Sequence, residues 1–170
     1  MSTPVTFPTT RDYTGRQVDL EFLQEIREPL LGTEVDMRLG HPTVSRNVTG
    51  VQKAVQRYVL LFLTQLGTIR GAPGLGTLAI PQLRANAGRG AVKIRQVFEI
   101  ANRRVLQALR ADDEQFDVFG PIPADEIILS AELRSSSYVL ATSTLSLEVW
   151  ITLQSGSVFS FVIPTPIPVR

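Results

Sequence analysis

Residues 144–163 read TLSLEVWITLQSGSVFSFVI. Leu145, Leu147, Val149, Ile151 and Leu153 occupy every second position, and an apolar period of two puts them all on one face of a strand. Ser155-Gly156 interrupts the run, after which Val158, Phe159, Phe161 and Ile163 resume it. Small residues that turn the chain between two such runs predict a β-hairpin.

The readings on either side follow from this hairpin. Upstream, after Gly120, Pro121 and Pro123, residues Ile127, Leu129, Ala131 and Leu133 alternate against Glu126, Ser130, Glu132 and Arg134. That pattern predicts a further strand, joined to the hairpin by a serine-rich link. Downstream, residues 164–170 read PTPIPVR. Proline cannot donate to a ladder, so the expectation there is a polyproline-like tail beyond a domain that ends at Ile163.

The middle of the chain changes period. Thr49 and Gln52 have the spacing of a capping box, Val51, Val55, Tyr58 and Phe62 then share one helical face, and Gly67 offers a left-handed stop. Residues 68–77 hold Gly71, Pro73, Gly74 and Gly76, which predicts an exposed turn system, with a short helical turn at 78–83. A second long helix is expected over 91–111, burying Ile94, Phe98, Ala101, Val105 and Ala108 or Leu109. Its outer face is charged. Glu99 and Arg103 stand four apart in the order that favours a helix ion pair, and Arg95, Arg104 and Arg110 extend outward. Asp112, Asp113 and Glu114 follow, where the helix dipole disfavours negative charge, so the helix is expected to stop there.

At the other end, residues 1–16 carry Pro4, Pro8 and Gly15 without helical periodicity and predict an extended arm. Val18, Leu20 and Phe22, then Val35, Met37 and Leu39, alternate with polar neighbours and predict short strands, the second paired or at an edge. The fold expected is α+β: two amphipathic helices packed on a small, mostly antiparallel sheet that ends in the hairpin. Residues 17–163 form its single domain, between the arm at 1–16 and the tail at 164–170.

With 170 residues, 44% hydrophobic and 19% charged, the chain can bury a full core. The net charge of +1 includes only two lysines, Lys53 and Lys93, the other basic residues being arginine. Arginine suits fixed interface contacts, and near-zero net charge argues against nucleic acid as a partner. The absence of cysteine excludes a disulfide framework. The start reads without a signal peptide, and the apolar stretch 58–63 is too short to span a membrane.

Little in the sequence points to chemistry. His41 is the sole histidine, set between Gly40 and Pro42, so neither a metal nor a cofactor is expected. The run GAPGLG at 71–76 lacks the lysine of a phosphate loop. Glu99, with Arg103 nearby, and the cluster Asp112, Asp113 and Glu114 read as structural carboxylates rather than a glycosidase pair, so no catalytic residue is expected. The basic positions Arg84, Arg89, Lys93, Arg95, Arg103, Arg104 and Arg110 read as a protein interface, and an unpaired hairpin edge could accept a strand from a neighbour.

The stretch TGVQKAVQRYVLLFLTQLGT at 49–68, the link ending LGT at 75–77 and the leader TRDYTGRQVDL at 10–20 resemble the lysozyme-like baseplate wedge proteins of contractile phage tails. The order of helix then hairpin agrees. Where the family carries a Glu-Pro-Arg motif, this chain has FEIANRRV at 98–105, without the proline and with Glu99 and Arg103 in the charged positions. The resemblance implies a non-enzymatic subunit of the virion tail baseplate, assembled in the host cytoplasm. Its partners would be other wedge proteins, the tail sheath protein, and tube or hub proteins. On that reading Glu99, Arg103 and Arg104 anchor it to the wedge, and Leu147, Val149, Ile151, Phe159 and Phe161 of the hairpin template the sheath by strand exchange. The competing readings are a peptidoglycan-degrading tail lysozyme and, last, an arginine-rich nucleic-acid module.

Overall fold

The computed structural model describes residues 19–20, 23–28, 32–37, 47–86, 90–116, 120–139 and 143–167, with the side chains of 48–86, 90–115, 120–139 and 143–167. In chain order the elements are β1 (Asp19–Leu20), β2 (Leu23–Glu28), β3 (Gly32–Met37), β4 (Asn47–Val48), α1 (Gly50–Leu63), α2 (Ala79–Asn86), α3 (Ala91–Phe116), β5 (Ile128–Val139), β6 (Thr144–Leu153) and β7 (Val158–Pro166). This is the α+β arrangement. The main sheet has the order β2-β3-β7-β6-β5, and β1 pairs with β4 in a small second sheet. The arm at 1–16 and His41 lie outside the described residues.

The hairpin forms as its alternation requires. β6 pairs antiparallel with β7 from Thr144↔Pro166 to Thr152↔Val158, and Gly156 turns the chain with φ +83°. Leu145, Leu147, Val149, Ile151 and Leu153 all face the helices and are buried. Burying each such side chain stabilises the fold by roughly 1.5–3 kcal/mol. Above them, Tyr58 and Phe62 of α1 stack at 6.2 Å, Tyr58 meets Phe161 edge-on at 5.8 Å and Phe62 lies 5.6 Å from Phe98 of α3. The helical stripes and the strand stripe are thus halves of one core, completed by Ile94, Ala101, Val105 and Leu109.

Several expectations need correcting. Residues 135–137 are no link: β5 continues through them to Val139 and pairs with β6 throughout. The expected apolar phase of β5 holds at Ala131 and Leu133 but not before them, because its register shifts between Ile128 and Ser130. Ile128, Ala131 and Leu133 face inward and Leu129 is exposed, since an extra residue in one strand reverses the alternation after it.

The tail at 164–166 belongs to the sheet. Leu153 donates its N–H to Ser157 O and Ile167 donates to Ser143 O. Backbone groups alternate sides along a strand, so Ile163, Thr165 and Ile167 turn their amides toward β6 while Pro164 and Pro166 occupy positions that give β6 no donor. The prolines are therefore compatible with β7, and Ile167 beyond them is buried in the core. The domain does not end at Ile163.

The N-terminal alternations do form strands, shifted from their expected places. β2 and β3 pair antiparallel from Leu23↔Met37 to Glu28↔Gly32, and β3 meets β7 in parallel at Glu34↔Val162.

Two substitutions test this core. Ile167→Ala is expected to lower unfolding free energy by ~2–4 kcal/mol in urea titration, a loss that a free tail would not show. Thr165 is buried and its Oγ1 has no hydrogen-bond partner. Thr165→Val keeps the shape without the unpaired hydroxyl and is expected to raise stability by about 1 kcal/mol.

Candidate functional site

The residues singled out from the sequence separate into an outer and an inner group. Glu99 and Arg103 lie on the exposed face of α3 and form no ion pair with each other among the described residues, contrary to their spacing. Arg104 is exposed but reaches to the neighbouring loop. Its Nε donates to Gly76 O at 2.9 Å and its Nη2 to Gly74 O at 2.9 Å. Arg110 likewise turns back, donating to Leu129 O at 3.3 Å. Leu147, Val149, Ile151 and Phe161 are core residues and Phe159 is packed partly buried against them, so their side chains cannot serve a partner while the sheet stays closed against the helices.

The glycine-rich segment is a braced loop. Thr77 donates its N–H to Thr64 O at 2.8 Å and Leu66 donates to Thr77 O at 2.9 Å, closing the loop at its base. Thr77 Oγ1 donates to Phe62 O at 2.7 Å and accepts from the Ala79 N–H at 3.0 Å, which fastens the start of α2. Gly76 has φ +93°, and a Cβ there would collide with the Thr64 carbonyl, so glycine is required. α1 accordingly ends earlier than Gly67: Thr64 is its C-cap, donating both N–H and Oγ1 to Leu60 O.

At the other end of α1 the expected capping box is replaced. Thr49 makes no side-chain cap bond. Instead Glu126, almost wholly buried, accepts the Gly50 N–H on Oε1 at 2.9 Å and pairs with Lys53 Nζ through Oε2 at 2.9 Å. A carboxylate at a helix N-terminus is favoured by the dipole and by the unpaired amides there. Gly50 itself sits at φ +62°.

α3 runs past the expected stop because its acidic end is neutralised from across the fold. Arg57 of α1 reaches both Asp112 Oδ2 and Asp113 Oδ1 at 2.7 Å. Burial works against the Arg57 charge, yet hydrogen bonding and the fields of Asp113 and Asp112 outweigh it and raise its pKa. Tyr58 Oη donates to Asn102 Oδ1 at 2.8 Å, and Asn102 Nδ2 donates to Ala131 O at 2.8 Å. Burial, with the Glu99 charge adding to it, raises the Tyr58 pKa far above the ordinary phenol range, keeping the donor protonated.

What these bonds leave open is the outer edge of β5. Even-numbered residues of β6 turn their backbone toward β5, and the pairs Glu148↔Ser135 and Ser146↔Ser137 fix the matching positions. The backbone groups of Ala131, Ser136 and Tyr138 therefore point away from the sheet. Leu129 O and Ala131 O accept from α3 side chains, whereas Ser136 and Tyr138 lie on an edge with no strand neighbour among the described residues.

The charge map is a second feature that a net value conceals. Residues 37–111 hold twelve Lys and Arg against a single carboxylate, Glu99, while residues 112–170 hold eight Asp and Glu against Arg134 and Arg170. This segregation was legible in the sequence by position. Glu126 and Asn102 were not, because their partners lie far away in the chain.

Among the described residues there is no group of His, Asp and Glu arranged to hold a metal, and no helix is long and apolar enough to cross a membrane. No protein-family model, curated protein or solved structure matches the chain.

Glu126→Ala would remove the acceptor of the Gly50 N–H and a buried partner of Lys53, and so reopen the start of α1. It is expected to cost about 3 kcal/mol in chemical denaturation, against a few tenths for Thr49→Ala, the reverse of what a capping box requires.

Proposed function

We propose that this chain is a structural assembly subunit of a contractile-tail baseplate, anchored to wedge proteins through the exposed face of α3 and starting the sheath by strand exchange. The resemblance over 10–20 and 49–77 motivates the reading, and the open β5 edge carries it. An edge strand presents unpaired N–H and C=O groups to which an extended segment can add. β6 is already flanked by β5 and β7, so exchange at the hairpin would require opening the core. The edge of β5 needs no such opening and is the better place for an incoming sheath strand.

Glu99 and Arg103 belong to the anchoring half of this reading. Both are exposed and turned away from the sheet's core face, and each is free to meet a wedge protein of opposite charge. Arg104 holds the loop at 74–76 in place beside them.

The test is electron microscopy of the chain co-expressed with its sheath and wedge partners. Ser136→Pro removes an outward N–H without touching the β6 ladder, so thermal unfolding should barely change. Wedges that assemble but carry no sheath are the expected result. Normal sheath on the Ser136→Pro particles would overturn strand exchange at this edge.

A further inference from the structure

The largest exposed apolar side chains of the helical layer stand inside its basic region. On α3, Val92 is 71% and Ile100 64% exposed, two turns apart on the solvent side of the helix. Arg104, one turn after Ile100, holds the carbonyls of Gly74 and Gly76, which brings the loop carrying exposed Leu75 alongside α3. Leu78, also exposed, follows at the loop's end. This apolar surface is braced, because the loop closes on Thr64 and Thr77 as well as on Arg104. Lys93 and Arg103 on α3 and Arg84 on α2 are exposed around it.

From this combination we infer that the α3 face and the 74–78 loop dock an amphipathic helix with acidic flanks, supplied by a partner protein. Exposed apolar side chains of a helix and of a braced loop beside it can seat the apolar face of an incoming helix. The charge selects the partner, since Arg84, Lys93 and Arg103 are exposed around this surface against one exposed carboxylate, Glu99. A basic partner would be repelled, and a purely apolar one would leave the cations without counter-charge. A braced loop also lowers the ordering cost of association. This surface includes the α3 face that the proposed function gives to a wedge protein, and the inference adds the chemistry of that partner; it does not depend on strand exchange, so Ser136→Pro should leave it intact.

The probe is a pair of synthetic helices of equal length with leucine on one stripe, one flanked by glutamate and the other by lysine, read by fluorescence anisotropy against the full chain. The glutamate helix is expected to bind at least about tenfold more tightly, more weakly as salt rises. Ile100→Asp, and separately Arg103→Glu, should each reduce that affinity about tenfold with thermal unfolding unchanged, both positions being exposed. Equal binding of the two helices, or binding indifferent to both substitutions, would overturn the inference. So would sedimentation showing a dimer that Ile100→Asp dissolves, which would assign the face to a second copy.

Discussion

Leu145, Leu147, Val149, Ile151 and Leu153 leave water together only if helices cover the whole length of β6, and the remaining arrangement is set by how that is done. α1 and α3 supply the cover through Tyr58, Phe62 and Phe98. Because helices are rigid and the apolar face is continuous, their ends must then be fastened wherever the cover places them. Glu126 fastens the start of α1, Arg57 joins α1 to the end of α3, and Arg104 ties the intervening loop to α3. Each bond joins residues far apart in sequence, so each contributes only once the core has formed. Their role is to fix the position of the layers, while burial supplies the larger stabilising term.

The same fastening decides what is left for partners. Arg104 and Arg110, which looked available, are exposed but each donates to a carbonyl of its own fold. Leu147, Val149 and Ile151, attractive as strand-exchange residues because they are apolar and alternate, are core for that very reason. Among the surfaces that the described residues leave open are the outer edge of β5 and the solvent face of α3 with its neighbouring loop. They differ in chemistry. The edge offers backbone hydrogen bonds with little side-chain selectivity, whereas the α3 face offers apolar area and charge.

The corrections to β5 and β7 share a cause. A bulge at Ile128/Ser130 reverses the inward phase, and prolines at 164 and 166 fit a strand because their missing donors face away from β6. Both depend on register, which is a relation between strands. Residue patterns within one strand do not contain it, so a strict alternation misplaces Leu129 and a proline count ends the sheet too early.

The sequence by itself determined the element types and the α+β plan, because periods of two and of three to four depend only on local backbone geometry. It determined the buried stripes of α1, α3 and β6, and it held the charge segregation in plain view. Tertiary structure alone decided the caps, the length of α3, the end of the sheet and which surfaces stay open. Those outcomes rest on partners brought together by the core, such as Glu126 and Gly50 at 76 residues' separation, and no local pattern encodes a contact at that distance.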